Sequence, residues 1–350
     1  MEVIKDKMKK ITINDVAKTA GVSKGTVSAV INSRSTVNAK TREHILRVMK
    51  NLNYQPLGQA RNLRGQRIGK SIGLIVRELD NPFYASVAVE VKKYANSRDF
   101  ILFIASSESD HQNEENITQL FAANNVKGVI IAPVIDGTIE IEHLFRLKML
   151  NYPFVMLEEV QGILANVVSI NNVKATSDAV KYLIENGHTQ ILHFSGPKFA
   201  SHSVERLKGF RKAFSESHLV FSDDLVVCCG SHFHDGYEKG LAYFKNFDRK
   251  KFPIAVVCYN DVVALGLMSA LHQLNIEVPE HVSIIGNDDI EFARHWTPAL
   301  TTINTPFEKL GRKAAEILIN NIESEKSLPV ENIVLDSKII IRETTLRLKK

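Results

Sequence analysis

Between Thr12 and Ile31 the sequence TINDVAKTAGVSKGTVSAVI sets two helix-length apolar stripes around one glycine. Ile13, Val16, Ala17 and Ala20 recur at helical spacing. Thr12 with Asp15 three residues later forms a capping box that starts the first helix. Gly21 ends it, as a glycine just past a helix commonly does. Ser23 caps a second helix carrying Val27, Val30 and Ile31 on one face. A turn this short forces the two stripes against each other. Two architectures carry the pattern: an ordinary helical hairpin, and the helix-turn-helix, whose second helix enters the DNA major groove.

A third helix is expected from Ala39 to Leu52, capped by Asn38, with Ile45, Val48, Met49 and Leu52 as its stripe. It closes a three-helix core with the valines before it. Charge is divided along the chain. Residues 1–67 hold 14 Lys and Arg against 4 Asp and Glu, and the remainder 30 against 35. A basic arm on a mildly acidic body fits a nucleic-acid partner for the arm, although a solvated charged face gives the same counts. Gln55 to Gly65 opens on Pro56 and closes on Gly65, leaving less than two helical turns. Isolated helices below ~12 residues are marginal in water, so this stretch is expected to be a linker unless something orders it.

From Lys70 the rhythm changes to short apolar runs alternating with amphipathic segments. Strands are expected at Ser71 to Val76, Ile101 to Ala105, Val129 to Ala132, Phe154 to Leu157, Ile191 to Phe194, Leu225 to Val227, Ala255 to Cys258 and Val282 to Ile285. Helices fall between them, among them Phe83 to Asn96, His111 to Asn124, Ala175 to Asn186 and Val204 to Ser217. Repeated βα units with buried β-branched strands mean parallel sheet covered by helices. There are too many for one small sheet, so two similar halves with a cleft between them are expected.

Composition narrows the function classes. The opening MEVIKDKMKK holds no apolar run long enough for a signal peptide, and no stretch approaches the ~20 apolar residues of a membrane span. Cys228, Cys229 and Cys258 lack zinc-ligand spacing, and an odd count argues against a disulfide framework. Reduced thiols and a cytoplasmic location are the expectation. No phosphate-cradling glycine run is present. No metal or cofactor is implied.

The chain resembles the lactose/galactose repressor (LacI/GalR) family. The likeness rests on Asp15-Val16-Ala17, Ala20-Gly21-Val22-Ser23, Thr26-Val27-Ser28 and Val30-Ile31-Asn32. It continues through Lys40-Thr41-Arg42 and Leu52-Asn53-Tyr54-Gln55-Pro56, and in the body through Trp296 to Ile303. It runs from about Ile11 to Arg342. The resemblance implies an all-α helix-turn-helix head over 1–56 and a hinge helix over 57–68. It implies an α/β body over 69–350, of two doubly wound parallel-sheet subdomains like type I periplasmic binding proteins. The expected subdomains are 69–169 with 302–330, and 170–301 with 331–350. Crossings are placed near Ser169, near Thr301-Thr302 and near Pro329 to Asn332.

The same resemblance assigns residues. Lys24, Gly25 and Ala29 match positions that vary with operator sequence; Lys24 can donate to guanine O6 or N7. Thr12, Ser23, Thr26, Ser28, Asn32 and Thr36 offer hydroxyls or an amide for phosphate oxygens, though Ser28 also suits a plain surface hydroxyl. Tyr54 completes the head. Leu63 matches the hinge leucine that wedges into the minor groove at a central CG step, with Ala60, Asn62 and Arg64 around it. Two half-sites imply a homodimer on a palindromic operator.

For the effector, Asn81, Phe83, Tyr84, Glu158, His202, Arg206, Asn260 and Asp288 match ligand positions, and family usage favours a sugar. A guanidinium at 206 can fork onto vicinal hydroxyls or a carboxylate. Phe83 and Tyr84 suit either ring stacking or plain helix-start packing; for His202 a surface histidine is the better reading. Three departures stand out. Glu158-Glu159 replaces an aspartate followed by a varied residue, and Asn287 replaces an aromatic. Ser231, His232 and Phe233 sit one residue out of step with an aromatic lid. These residues contain no activated nucleophile and no base–nucleophile pair. An effector-responsive transcription regulator is the reading that results. The alternatives are an exported solute-binding protein, against which the expected absence of a signal peptide and the basic arm count, and an α/β enzyme acting on a sugar or nucleoside.

Overall fold

The computed structural model describes residues 11–31, 36–52, 54, 70–135, 141–198 and 200–348. The chain divides into two compact units, 1–69 and 70–350.

In the first unit, helices α1 (Ile13–Ala20), α2 (Lys24–Ile31) and α3 (Ala39–Asn51) pack on one another. The capping box is formed: Asp15 N donates to Thr12 Oγ1 at 3.4 Å and Thr12 N to Asp15 Oδ2 at 2.7 Å. Gly21 stops α1 at φ 65°, a left-handed value that side chains with a Cβ rarely adopt. Thr26 N donates to Ser23 Oγ at 3.0 Å, and Thr41 N to Asn38 Oδ1 at 2.9 Å, so both expected caps are made. Val16, Val27 and Ile45, one from each helix, are the fully enclosed centre of this small core.

The second unit holds two six-stranded sheets. The first runs β11-β5-β4-β3-β1-β2, all parallel, built from β1 (Ser71–Val76), β2 (Ile101–Ser106), β3 (Val129–Ile131), β4 (Phe154–Met156), β5 (Asn166–Ile170) and β11 (Asn332–Leu335). The second runs β12-β10-β9-β8-β6-β7, built from β6 (Ile191–Ser195), β7 (Val226–Cys228), β8 (Ile254–Cys258), β9 (Val282–Asp288), β10 (Thr301–Asn304) and β12 (Lys338–Ile340). Its one antiparallel pairing is β10 with β12. In both sheets strand order reverses beside the first strand, β1 between β2 and β3 and β6 between β7 and β8. Open α/β sheets bind ligands at the carboxyl ends of strands flanking such a reversal.

Helices cover both faces of each sheet, and four apolar clusters fill the layers. The chain passes between sheets three times. The first passage follows β5, where helix α7 (Asn172–Glu185) packs on strands of the second sheet. The second is later than expected. β10 pairs with β9 out to Asn304, so residues 302–304 belong with the second sheet, and the passage lies at Thr305-Pro306. It leads to α12 (Phe307–Glu323), which packs on the first sheet. The third is also later: Asn332 to Leu335 pairs with β5, so 331–335 stays with the first sheet and the passage lies at Asp336-Ser337. No helix among the described residues is long and apolar enough to cross a membrane.

Candidate functional site

Loops at the carboxyl ends of β1, β3, β6, β8 and β9 enclose a cavity of about 290 Å³ between the two sheets. Seven expected effector residues line it: Asn81, Phe83, Tyr84, His202, Arg206, Asn260 and Asp288. The eighth, Glu158, lines a small extension of about 20 Å³ that shares Arg77, Phe83, Tyr84, His202 and Arg206 with the main space. All eight are therefore brought together, from positions spread over 81–288.

Each is held by the element it starts or ends. Asn81 caps helix α4 (Pro82–Ser97), accepting from Phe83 N at 3.0 Å. That cap sets Phe83 and Tyr84 on the first turn, their rings edge to face with centroids 5.1 Å apart. Asn260 caps α10 (Asp261–Gln273), accepting from Val263 N at 2.8 Å and donating to Ser231 O at 2.9 Å. Arg206 lies on α8 (Ser201–Ser215), 6% exposed. Its Nε donates to Asn172 Oδ1 at 3.3 Å and its Nη1 to the Tyr259 carbonyl. Its guanidinium stands over the Tyr259 ring, 4.7 Å from the centroid. Nη2 approaches Asp288 Oδ1 at 3.6 Å.

The floor is a buried charge network that motif matching did not find. Arg77, first residue after β1, places Nη2 2.6 Å from Glu158 Oε1 and donates from Nε to Tyr84 Oη at 2.7 Å. Burial works against the Arg77 cation, but Glu158 and Tyr84 together push its pKa up, so it stays charged. Burial raises the Glu158 pKa, while Arg77, the Ser201 hydroxyl and Arg206 oppose the rise. His202 Nδ1 lies 3.2 Å from Glu158 Oε2 yet off the hydrogen-bond direction, a buried nitrogen without a hydrogen-bond partner. Burial, then the charges of Arg77 and Arg206, force its pKa well down. We therefore read that contact as neutral imidazole beside carboxylate, not as an ion pair. The expectation that His202 suits the surface is overturned by this placement.

A second acid pair underlies the other wall. Asp261 accepts from Ile290 N at 2.9 Å and from the Thr302 hydroxyl. Burial raises the pKa of Asp261 and of Asp288; the Asp288 charge adds to the rise at Asp261, while Arg206 and Asn287 oppose the rise at Asp288. Asp288 and Asp289 hold φ of 124° and 61°. Such backbone costs of order 1–3 kcal/mol per residue and concentrates where a ligand must be met. Glu114, fully buried, steadies a third wall: its Oε2 accepts from Val134 N at 2.9 Å and its Oε1 meets His143 Nε2 at 2.6 Å.

In the first unit Ser23, Lys24 and Gly25 form an exposed run at the start of α2, with Thr26, Ser28 and Ala29 half-buried behind them. The Ser23 and Thr26 hydroxyls lie 2.8 Å apart. Thr12 is exposed with its hydroxyl donating to Asp15. Thr36 is exposed before α3, and Tyr54 is half-buried against the three-helix core. Asn32, Ala60, Leu63 and Arg64 lie outside the described residues.

Comparison with known proteins follows the same division. Residues 12–57 match the family model described as bacterial regulatory proteins, lacI family, and residues 180–345 match the periplasmic binding protein-like domain. The HTH-type transcriptional repressor PurR of Histophilus somni is 33% identical over 336 residues, covering 95% of this chain and 98% of its own. Its counterpart from Vibrio parahaemolyticus is 33% identical over 341 residues, 96% of this chain and 99% of its own. Among solved structures, the transcriptional regulator CelR–cellobiose complex matches with TM-score 0.69 and 29% identity, over 95% of this chain and 99% of that one. The lac repressor dimer bound to operator and the anti-inducer ONPF matches with TM-score 0.69 and 26% identity, over 97% and 100%.

Proposed function

The chain belongs to the lacI family of bacterial regulatory proteins, and from that premise we propose that it is a homodimeric, cytoplasmic repressor reading a palindromic operator under control of a small sugar. It is a DNA-binding transcriptional regulator governed by a small-molecule effector; its relatives are repressors rather than enzymes. The finer assignments are ours. Lys24, Gly25 and Ala29 face base edges, and Thr12, Ser23, Thr26, Ser28, Asn32, Thr36 and Tyr54 fix register on the phosphates. Ala60, Leu63 and Arg64 meet the minor groove. Residues 1–56, 57–68 and 69–350 act as reader, hinge and sensor.

The effector reading rests on one observation: of eight side chains assigned by resemblance, seven line one cavity at the strand-order reversals of both sheets and the eighth lines its small extension. Its chemistry supports a polyhydroxylated ring. Arg206 and Asp288 offer a fork of donors beside acceptors, the arrangement that suits vicinal hydroxyls, and Phe83 gives an aromatic wall. At about 290 Å³ the space falls at the small end of ligand sites, roughly 300–1,000 Å³, which favours a single ring over a disaccharide. Ligand joining the two lobes then biases one inter-lobe arrangement, and typical coupling to DNA affinity is about 1–3 kcal/mol.

A thermal-shift screen of monosaccharides, disaccharides and nucleobases on the full chain tests this. A monosaccharide hit whose shift disappears in Arg206→Ala supports the reading. A nucleobase hit, or a sugar shift that survives Arg206→Ala, refutes the assignment. Selection of duplexes from a random pool should return a palindrome; recovery of unrelated sequences would reject the operator half of it.

A further inference from the structure

At the rim of the cavity three side chains from both lobes face one another. Glu78 and Asp80 lie on the loop after β1, in the first lobe. His232 lies before helix α9 (Phe233–Phe244), in the second. His232 Nε2 is 3.5 Å from Glu78 Oε2 and 4.0 Å from Asp80 Oδ2, and the three donor atoms all lie within 4.8 Å of one another. Tetrahedral zinc, with Zn–N and Zn–O of about 2.0–2.2 Å, sets its ligands about 3.3–3.6 Å apart. The His–Glu separation already has that value, and the other two need only modest closing.

Two features separate this trio from a chance meeting of exposed acids. The first is the seat of the imidazole. His232 Nδ1 lies 3.4 Å from Asp235 Oδ2 and 3.2 Å from Ser231 Oγ, while Asp235 is itself fixed by the Ser231 and His232 backbone N–H groups at 3.0 and 2.9 Å. A carboxylate fixed beside Nδ1 seats the ring with Nε2 toward Glu78 and Asp80. Carboxylate–histidine–metal chains use this arrangement to orient a ligand. The second is charge. Among the described residues neither Glu78 nor Asp80 lies within ion-pair distance of any Lys or Arg, and both meet His232. Glu78 is nevertheless largely enclosed, its side chain 18% exposed. Two carboxylates without a Lys or Arg partner among the described residues thus face one imidazole nitrogen.

We propose that Glu78, Asp80 and His232 form a divalent transition-metal site, suited to Zn²⁺, that clasps the two lips of the sensor cleft. One nitrogen and two carboxylate oxygens match zinc better than Ca²⁺ or Mg²⁺, which take oxygen ligands. Because the donors come from opposite lobes, the ion binds tightly only when the lips are close, and so holds the cleft closed. Linkage then requires that metal and effector each strengthen the other by the same factor. That coupling rests on the effector reading above; the metal site itself does not.

Isothermal titration of the full chain with ZnCl₂ at pH 7.5, without sugar, tests the site alone. One Zn²⁺ per chain is expected. His232→Ala and Glu78→Gln, from opposite lobes, should each weaken it at least tenfold. Asp235→Asn should weaken it by about 10- to 100-fold through the lost orientation of the imidazole. Cys228→Ser with Cys229→Ser should leave it intact. Hydrogen exchange should slow in both 78–81 and 231–235 on adding Zn²⁺. Absence of a stoichiometric site overturns the proposal, as does binding that survives both His232→Ala and Glu78→Gln in folded protein, or that vanishes with the cysteines. Protection of only one of the two segments would refute the clasp. Failure of the sugar screen with Zn²⁺ binding intact would instead count against the effector reading.

Discussion

Replacing Asp288 by asparagine separates ligand recognition from stability, and the two effects have opposite signs. The substitution keeps the shape of the side chain and the neighbour Asn287, which lies 2.7 Å away. It removes the charge that effector hydroxyls would donate to. A hydrogen bond to a charged group is worth about 1.5–3 kcal/mol, and 1.36 kcal/mol is a factor of ten. The effector Kd should therefore rise by roughly 10- to 150-fold. Stability should move the other way. Burial raises the Asp288 pKa above its ordinary value against the pull of Arg206 and Asn287, and the Asp288 charge in turn raises that of Asp261. A carboxyl raised on folding favours the native state while protonated, below its unfolded pKa, and that contribution is lost as pH rises through the folded value. At pH 8 the native protein thus carries two ionised, mutually repelling acids, and Asp288→Asn relieves one of them. The expected result is a higher Tm at pH 8, a smaller gain at pH 5, and weak effector binding at both. Wild-type binding should itself weaken as acid protonates Asp288. Calorimetric titration and thermal unfolding at the two pH values check this. Unchanged effector affinity together with a lower Tm at pH 8 would refute both the ligand role and the electrostatic account.

Three further outcomes are expected. Lys24→Ala should remove about 1–3 kcal/mol of discrimination at one base pair, seen by gel shift as a flattened ranking of operators altered at that step; an unaltered ranking would move the base contact elsewhere. Leu63→Ala should weaken operator binding while sparing binding to random duplex, and equal operator affinity would reject the wedge. His193, fully buried, donates from Nδ1 to Val257 O at 3.0 Å while Nε2 has no partner; burial, only partly offset by that backbone bond, depresses its pKa from 6.5 to about 4. A base lowered on folding contributes stability that is complete above its unfolded pKa and lost as pH falls toward the folded one, about 3 kcal/mol over this interval. Urea unfolding at pH 7 and pH 4.5 should show a steeper loss for wild type than for His193→Gln, and parallel losses would exclude His193 as the source.

What could be read in the sequence follows from the range of the interactions that set it. The caps of α1, α2 and α3 lie within three residues of the atoms they satisfy, so Thr12, Asp15, Gly21, Ser23 and Asn38 announced the first unit by themselves. Strand β1 is buried on both faces and reads as a continuous apolar run. The eight effector positions were assigned by resemblance, and all but Arg206, which lies within α8, sit at strand ends or helix starts, where local punctuation marks the place. The strands β5, β10, β11 and β12 were missed for the converse reason. Each is short, half-exposed or polar, and becomes a strand only through partners far away in sequence, as Asn332 to Leu335 does beside β5. The two misplaced passages between sheets are the same error, since a passage is located only once the pairing of the strand before it is known.

The charge network under the cavity shows why site chemistry is harder to read than site position. Arg77 meets Glu158 across 81 positions of sequence, and Glu114 reaches Val134 and His143 from another helix. Nothing local distinguishes these residues from surface charges. Only the fold, by burying them, converts them into a fixed electrostatic floor. That conversion also bears on Glu158, where an aspartate is usual. The longer side chain spans to Arg77 at 2.6 Å and to the Ser201 hydroxyl at once. Oε2 thereby accepts from the Ser201 hydroxyl, while Oε1 pairs in charge with Arg77 without a hydrogen bond from it. Glu158→Asp, one methylene shorter, cannot keep both contacts. It should loosen Arg77 and alter which ligands bind, whereas a merely space-filling Glu158 would leave the ligand ranking as it was.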